Sequence, residues 1–147
     1  MELRLVGNPR VDQELSFAWL LKGDEDLRSA IRLANFEDAD LDVVCYHAQQ
    51  AAEKYLKSLL VYHQEPFKKS HAIDYLLDVL EVRIPNVRTE LSDVVDLTDY
   101  AVETRYPDEP VGVSGEDAAE AIELARKARS YVAAHLPQGL APAEPTK

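Results

Sequence analysis

Between Asp12 and His135 apolar residues return at three- and four-residue steps in five successive stretches, and none alternates strictly between apolar and polar. The pattern predicts helices joined by short links. The first runs from Asp12 to Asn35, with Leu15, Trp19, Leu20, Leu27, Ile31 and Ala34 recurring near helical spacing. Gly23 interrupts it at a cost of about 1 kcal/mol relative to Ala. Phe36 to Ala39 is a connection, and Asp38 or Asp40 can cap the second helix.

Asp40 to Gln64 carries the strongest signal. At about 100° per residue, Val44, Ala48, Ala51, Ala52, Tyr55, Leu56, Leu59 and Tyr62 share one broad face that also takes in Cys45. His47, Gln50, Lys54 and Lys57 form a polar stripe within roughly 80° beside that face. Glu65 to Lys69 is a loop, and Ser70 can cap a third helix from His71 to about Val82, apolar at Ile73, Leu76, Leu77 and Leu80. After Pro85 a fourth helix is predicted from Asn86 to about Arg105, with Leu91, Val94, Val95, Thr98, Ala101 and Val102 on one side.

Pro107, Pro110 and Gly112 make an irregular link. Ser114 and Asp117 then resemble a capping box that opens the last helix at about Gly115. That helix runs through Ile122, Ala125, Ala128 and Ala133 to near His135. The expected fold is an all-α, antiparallel up-and-down bundle of five helices over residues 12–136. Residues 1–11 read as an arm and 137–147, rich in Ala and Pro, as a disordered tail.

Composition narrows the classes. Apolar residues make up 46% and charged residues 29% of the 147, the balance of a globular domain. The first residues lack the basic-then-apolar layout of a secretion signal, and no apolar run reaches the roughly 18–20 residues needed to span a bilayer. The lone Cys45 suits a reducing compartment and reads as a small buried hydrophobe. A cytoplasmic protein with no membrane association is therefore expected. The formal charge of −11 weighs against a broad nucleic-acid-binding surface while leaving room for a small basic cleft. No Cys/His cluster suggests zinc and no Gly-rich loop a phosphate cradle, so neither metal nor cofactor is expected. Asp93, Asp96 and Asp99 lie opposite the apolar side of their segment and read as a solvated face.

Four segments in order resemble the HEPN family. They are Ala18-Trp19-Leu20-Leu21-Lys22 with Asp26-Leu27 and Ala30; the run from Cys45 to Lys57; Ser70-His71 with Leu76-Leu77; and Thr104-Arg105-Tyr106-Pro107-Asp108. Gly23 stands where such sequences often carry Ala. The resemblance implies a helical bundle that usually forms homodimers. Many such proteins are encoded or fused with minimal nucleotidyltransferases, in toxin–antitoxin or related pairs. Some are metal-independent RNases with active sites at the dimer interface; others lack the catalytic residues and bind nucleotides or act as scaffolds.

The family's RNases use Arg followed after four to six residues by His, a pair suited to polarising a ribose 2′-OH and moving its proton. Only Arg129 and His135 fit here, and roughly 0.7 such matches arise by chance at this composition. On a continuous helix the two would point about 120° apart. The stripe His47, Gln50, Lys54, Lys57 reads either as a phosphate or nucleotide site, or as a solvated or dimer-facing edge with Glu53 and Lys57 in an ordinary i,i+4 pair. Ser70 and His71 read as an anion site at a helix N-terminus or as a plain cap. Arg105 and Tyr106 read as an anion grip and a base-stacking ring, or as closure of the bundle. His63 reads as structural or exposed.

The function expected from these features is a homodimeric partner of a nucleotidyltransferase-like protein. An RNase toxin acting on RNA and a nucleotide-binding module stand as the alternatives.

Overall fold

The computed structural model describes residues 9–101 and 112–147. Among them the chain forms α1 (Pro9–Ala34), α2 (Leu41–Tyr62), α3 (Ile73–Glu81), a single turn α4 (Val87–Glu90), a 3-10 helix (Ser92–Tyr100) and α5 (Gly115–Ala134), with no strand. The all-α bundle is as the periodicity implies. α1 begins at Pro9, three residues before Asp12, since proline's fixed φ suits the first helical position.

α2 is the centre. Val44, Ala48, Ala51, Ala52, Tyr55, Leu56, Leu59 and Leu60 are fully buried, as is Cys45. α1 runs antiparallel to α2, so Asp26 meets His47 while Ser16 meets Ser58. The two serines exchange hydrogen bonds with each other's backbone: Ser58 Oγ donates to the Ser16 carbonyl at 2.7 Å and Ser16 Oγ to that of Ser58 at 2.8 Å. Small side chains with internal partners let the helices approach without orphaning a buried hydroxyl.

Gly23 belongs to the same contact. A Cβ built there would sit 2.6 Å from Cε1 and 2.7 Å from Cδ1 of Tyr55. The glycine is a notch for that buried ring, which is why this helix forgoes a better helix former. Gly23→Ala should therefore destabilise the protein by up to about 2 kcal/mol, because overpacking of about 1–3 kcal/mol opposes alanine's helical advantage of about 1. A urea melt that shows Gly23→Ala more stable than the parent would contradict the notch.

The segment after Pro85 departs from the expected continuous helix, whose last residues, 102–105, lie outside those described. After the α4 turn the chain winds as a 3-10 helix, and the buried residues are Leu91, Val94 and Leu97. Their spacing is three residues, the 3-10 period, so the tighter winding keeps all three on the core side where an α-helix would rotate Leu97 away.

α5 opens with the capping box at Ser114 and Asp117, each backbone N–H meeting the other's side chain at 3.0 Å. Asp117 is held below the ordinary carboxylate range by these bonds. The buried side of α5 is Ala118, Ala121, Ile122, Ala125, Ala128, Arg129 and Val132; Ala133 lies at its edge. Residues 137–147, read as a disordered tail from composition, fold back on the bundle. Leu140 and Ala141 pack on the core, and Arg126 holds Glu144 at 3.2 Å and the Pro145 carbonyl at 3.1 Å. Arginine donors on α5 thus supply partners for backbone that no helix satisfies. Among the described residues no helix is long and apolar enough to cross a membrane.

Candidate functional site

The polar stripe of α2 lies against α1 and divides in two. In its upper part Asp26 of α1 gathers two of the predicted residues: His47 Nδ1 donates to Asp26 Oδ1 at 2.9 Å, and the Lys54 ammonium is bonded to Oδ2. All three side chains are half-buried or less exposed still. Burial alone would raise the Asp26 pKa, but the hydrogen bonds and charges of His47 and Lys54 outweigh it and hold the carboxyl below its ordinary value. With Nδ1 tied to Asp26, Nε2 is the His47 nitrogen that faces any ligand. Gln50, between them, keeps a buried Oε1 with no hydrogen-bond partner among the described residues.

In the lower part Glu53 is the hub. Its buried carboxylate accepts from Lys57 at 2.5 Å, from Gln49 Nε2 at 3.1 Å, and from His71 Nδ1 at 3.1 Å. Lys57 also lies 5.5 Å over the ring of Trp19. The i,i+4 pair is real but belongs to the core, where the aliphatic stem of Lys57 is enclosed and its head needs a partner. His71 remains mostly exposed and pins the 64–72 link to α2. Ser70 does not cap the third helix as expected: α3 starts at Ile73 with Ala72 at its N-cap and no side-chain cap, and Ser70 instead accepts the N–H of Ala72 at 3.0 Å in the turn ahead of it. Both stripe lysines thus have carboxylate partners, which lowers their attraction for a phosphate.

Arg129 and His135 bond to different partners. Arg129 is buried, with Nε 2.7 Å from Asp24 Oδ1 and a terminal nitrogen 3.1 Å from Oδ2, and it also donates to the Pro142 carbonyl at 2.8 Å. Tyr55 completes the cluster by donating to Asp24 at 2.5 Å. Burial, then the adjacent Asp24 carboxylate, push the Tyr55 phenol far above its ordinary range, so it stays a donor. Burial disfavours the Arg129 charge, but the Asp24 bond and charge more than compensate. His135 ends α5, donates from Nδ1 to the Tyr131 carbonyl at 2.8 Å and stacks on the Tyr131 ring at 4.3 Å. Asp24 and Tyr55 were missed as polar partners from sequence. Their one signal was an ionisable residue beside a glycine on the inner side of α1.

Near His135 lies His63, half-buried, with an Nε2 that lacks a partner among the described residues. Burial first, then the charges of Arg83 and His135, lower its pKa, against a smaller opposing effect of Glu65. The unfolded chain therefore takes up this proton at higher pH than the folded one. Stability should be indifferent to His63 well above about pH 6.5 and fall as pH drops below it. Urea midpoints at about pH 7.5 and about pH 5.5 check this: the decline should be shallower in His63→Gln, and an unchanged slope would contradict it.

Arg105 and Tyr106 lie outside the described residues. Asp93 pairs with Lys127 at 2.9 Å, while Asp96 and Asp99 are exposed. Among the described residues no group of three or more His, Cys, Asp or Glu side chains could hold a metal ion.

The comparisons with known proteins agree with an all-helical bundle. The HEPN domain matches residues 17–135, and the chain belongs to the HEPN family. It is similar in structure to TT1696 from Thermus thermophilus, with 32% identity, a TM-score of 0.65, and coverage of 82% of this chain and 98% of that one. No curated protein matches.

Proposed function

We propose that the chain is a cytoplasmic HEPN protein that works as a homodimeric partner of a nucleotidyltransferase-like protein, in a toxin–antitoxin-type pair, rather than as an RNase. The observation that carries the second half is the commitment of Arg129. A guanidinium that satisfies a buried carboxylate and a tail carbonyl has little left to offer a phosphodiester, and removing it would leave Asp24 uncompensated. The partner half rests on the family resemblance. A pull-down from the native host should recover a nucleotidyltransferase-like protein at a stoichiometric level. Recovery of the homodimer alone, with no such gene beside its own, would overturn it.

A nucleotide-binding role is the second reading, favoured by the unpartnered Gln50 carbonyl one turn from His47. It predicts that titration calorimetry with common nucleotides gives a saturable signal that His47→Ala and Lys54→Ala each weaken by tenfold or more. A flat titration with the parent protein would remove it.

A further inference from the structure

We propose that the link between α2 and α3 carries a site for a phosphate monoester, built from Lys68, Lys69, Ser70 and Tyr75, none of which belongs to the α2 seam. The four side chains line an open hollow of about 180 Å³. Lys68 and Lys69 are exposed, while Ser70 and Tyr75 are half-buried. Tyr75 Oη accepts the N–H of Lys68 at 2.7 Å, and Ser70 Oγ accepts that of Ala72 at 3.0 Å. Each hydroxyl therefore keeps its own proton to donate. Two lysines and two O–H donors surround the hollow, and no carboxylate is among its lining residues.

Charge pairing elsewhere in the chain sets these two lysines apart. Acidic residues outnumber Lys and Arg by 27 to 16, so a lysine here readily finds a carboxylate. Lys22, Lys54, Lys57 and Lys127 each hold one. Lys68 and Lys69, adjacent in the chain, have none among the described residues. The acids that flank them in sequence are taken by arginines, Glu65 by Arg83 at 2.8 Å and Asp74 by Arg88 at 2.7 Å. The link is also held in place: Phe67 is buried, His71 Nδ1 is bonded to Glu53, and the Ile73 N–H meets Thr98 Oγ1 at 3.3 Å. A loop held in this way loses little freedom on binding. Two compact ammonium charges suit a phosphate monoester, which carries about −1.5 to −2 at neutral pH, and the hydroxyls suit its terminal oxygens. A carboxylate or a phosphodiester brings only about one charge, so the monoester is the group this hollow favours.

Titration calorimetry of the full chain with phenyl phosphate at low salt should give a saturable signal, with a dissociation constant of about 1 mM or tighter. Lys68→Gln/Lys69→Gln should weaken it at least tenfold with unchanged circular dichroism, since both side chains are exposed. Dimethyl phosphate, with its single charge, should bind at least tenfold more weakly than phenyl phosphate. Arg32→Gln, which removes an exposed charge of α1, and His47→Ala, in the α2 seam, should both leave the affinity unchanged. A phosphoserine peptide identifies the carrier of the group. Tighter binding than phenyl phosphate, again lost in the lysine variant, would assign a phosphorylated side chain, and equal or weaker binding a small molecule. A flat titration up to about 10 mM phenyl phosphate would overturn the site. An equal loss in Arg32→Gln would reduce it to general charge attraction, and a loss in His47→Ala with none in the lysine variant would move the phosphate to the α2 seam; either result overturns it.

Discussion

Replacing Arg129 with alanine is expected to lower the free energy of unfolding by about 3–5 kcal/mol, the range for removing one member of a buried ion pair. The side chains of Arg129 and Asp24 are 6% and 3% exposed, so water cannot take the arginine's place. Among the described residues Asp24 would keep only the Tyr55 hydroxyl, and the Pro142 carbonyl would lose the Arg129 donor. A loss of this size is a large part of the total stability of a domain, which is typically about 5–15 kcal/mol. The double variant Asp24→Leu/Arg129→Met should recover part of it, because no charge is then left buried and the volume is roughly kept, while the buried Tyr55 hydroxyl and the Pro142 carbonyl still lose these partners. Urea unfolding of the two single variants and the double measures this. A loss below about 1 kcal/mol for Arg129→Ala, within the range of exposed pairs, would show that the cluster is not closed to solvent.

Glu53→Ala should have a comparable effect, about 3–5 kcal/mol, by the same mechanism at a second buried charge on α2. Lys57, 8% exposed, would lose its carboxylate, and the amide of Gln49 and ring of His71 would lose their common acceptor. The Trp19 face offsets only part of this, since a cation over an aromatic ring supplies about 0.5–2 kcal/mol. His71→Ala is the control: its side chain is 62% exposed, so its removal should cost well under about 1 kcal/mol. Equal losses for Glu53→Ala and His71→Ala would mean that the hub holds the loop rather than the buried lysine.

The helices were legible wherever one face repeats at the helical period. α2 shows this best, because the apolar-face positions from Val44 to Leu59 satisfy the pattern and are all buried. The capping box at Ser114 was legible because the two residues that form it lie three apart in the sequence. What escaped the pattern depends on a second element. Gly23 reads as a blemish until the Tyr55 ring is seen against it. Lys54 and Lys57 read as available cations until Asp26 and Glu53 are placed beside them. Arg129 follows the same logic: its partner Asp24 lies 105 residues away, so its place in α5 gives no sign of the buried pair. The 3-10 helix was misread because Leu91, Val94, Val95 and Thr98 fit an α-helical repeat, while the residues that are buried, Leu91, Val94 and Leu97, follow a three-residue one.

The central claim is that Arg129 serves the fold and that no RNase centre is built on it with His135. The most direct measurement is cleavage of a labelled RNA by the purified protein in the presence of a metal chelator, with His135→Ala beside the parent. No cleavage above a blank is expected for either protein. Cleavage by the parent that His135→Ala abolishes, with the variant's stability unchanged, would contradict it.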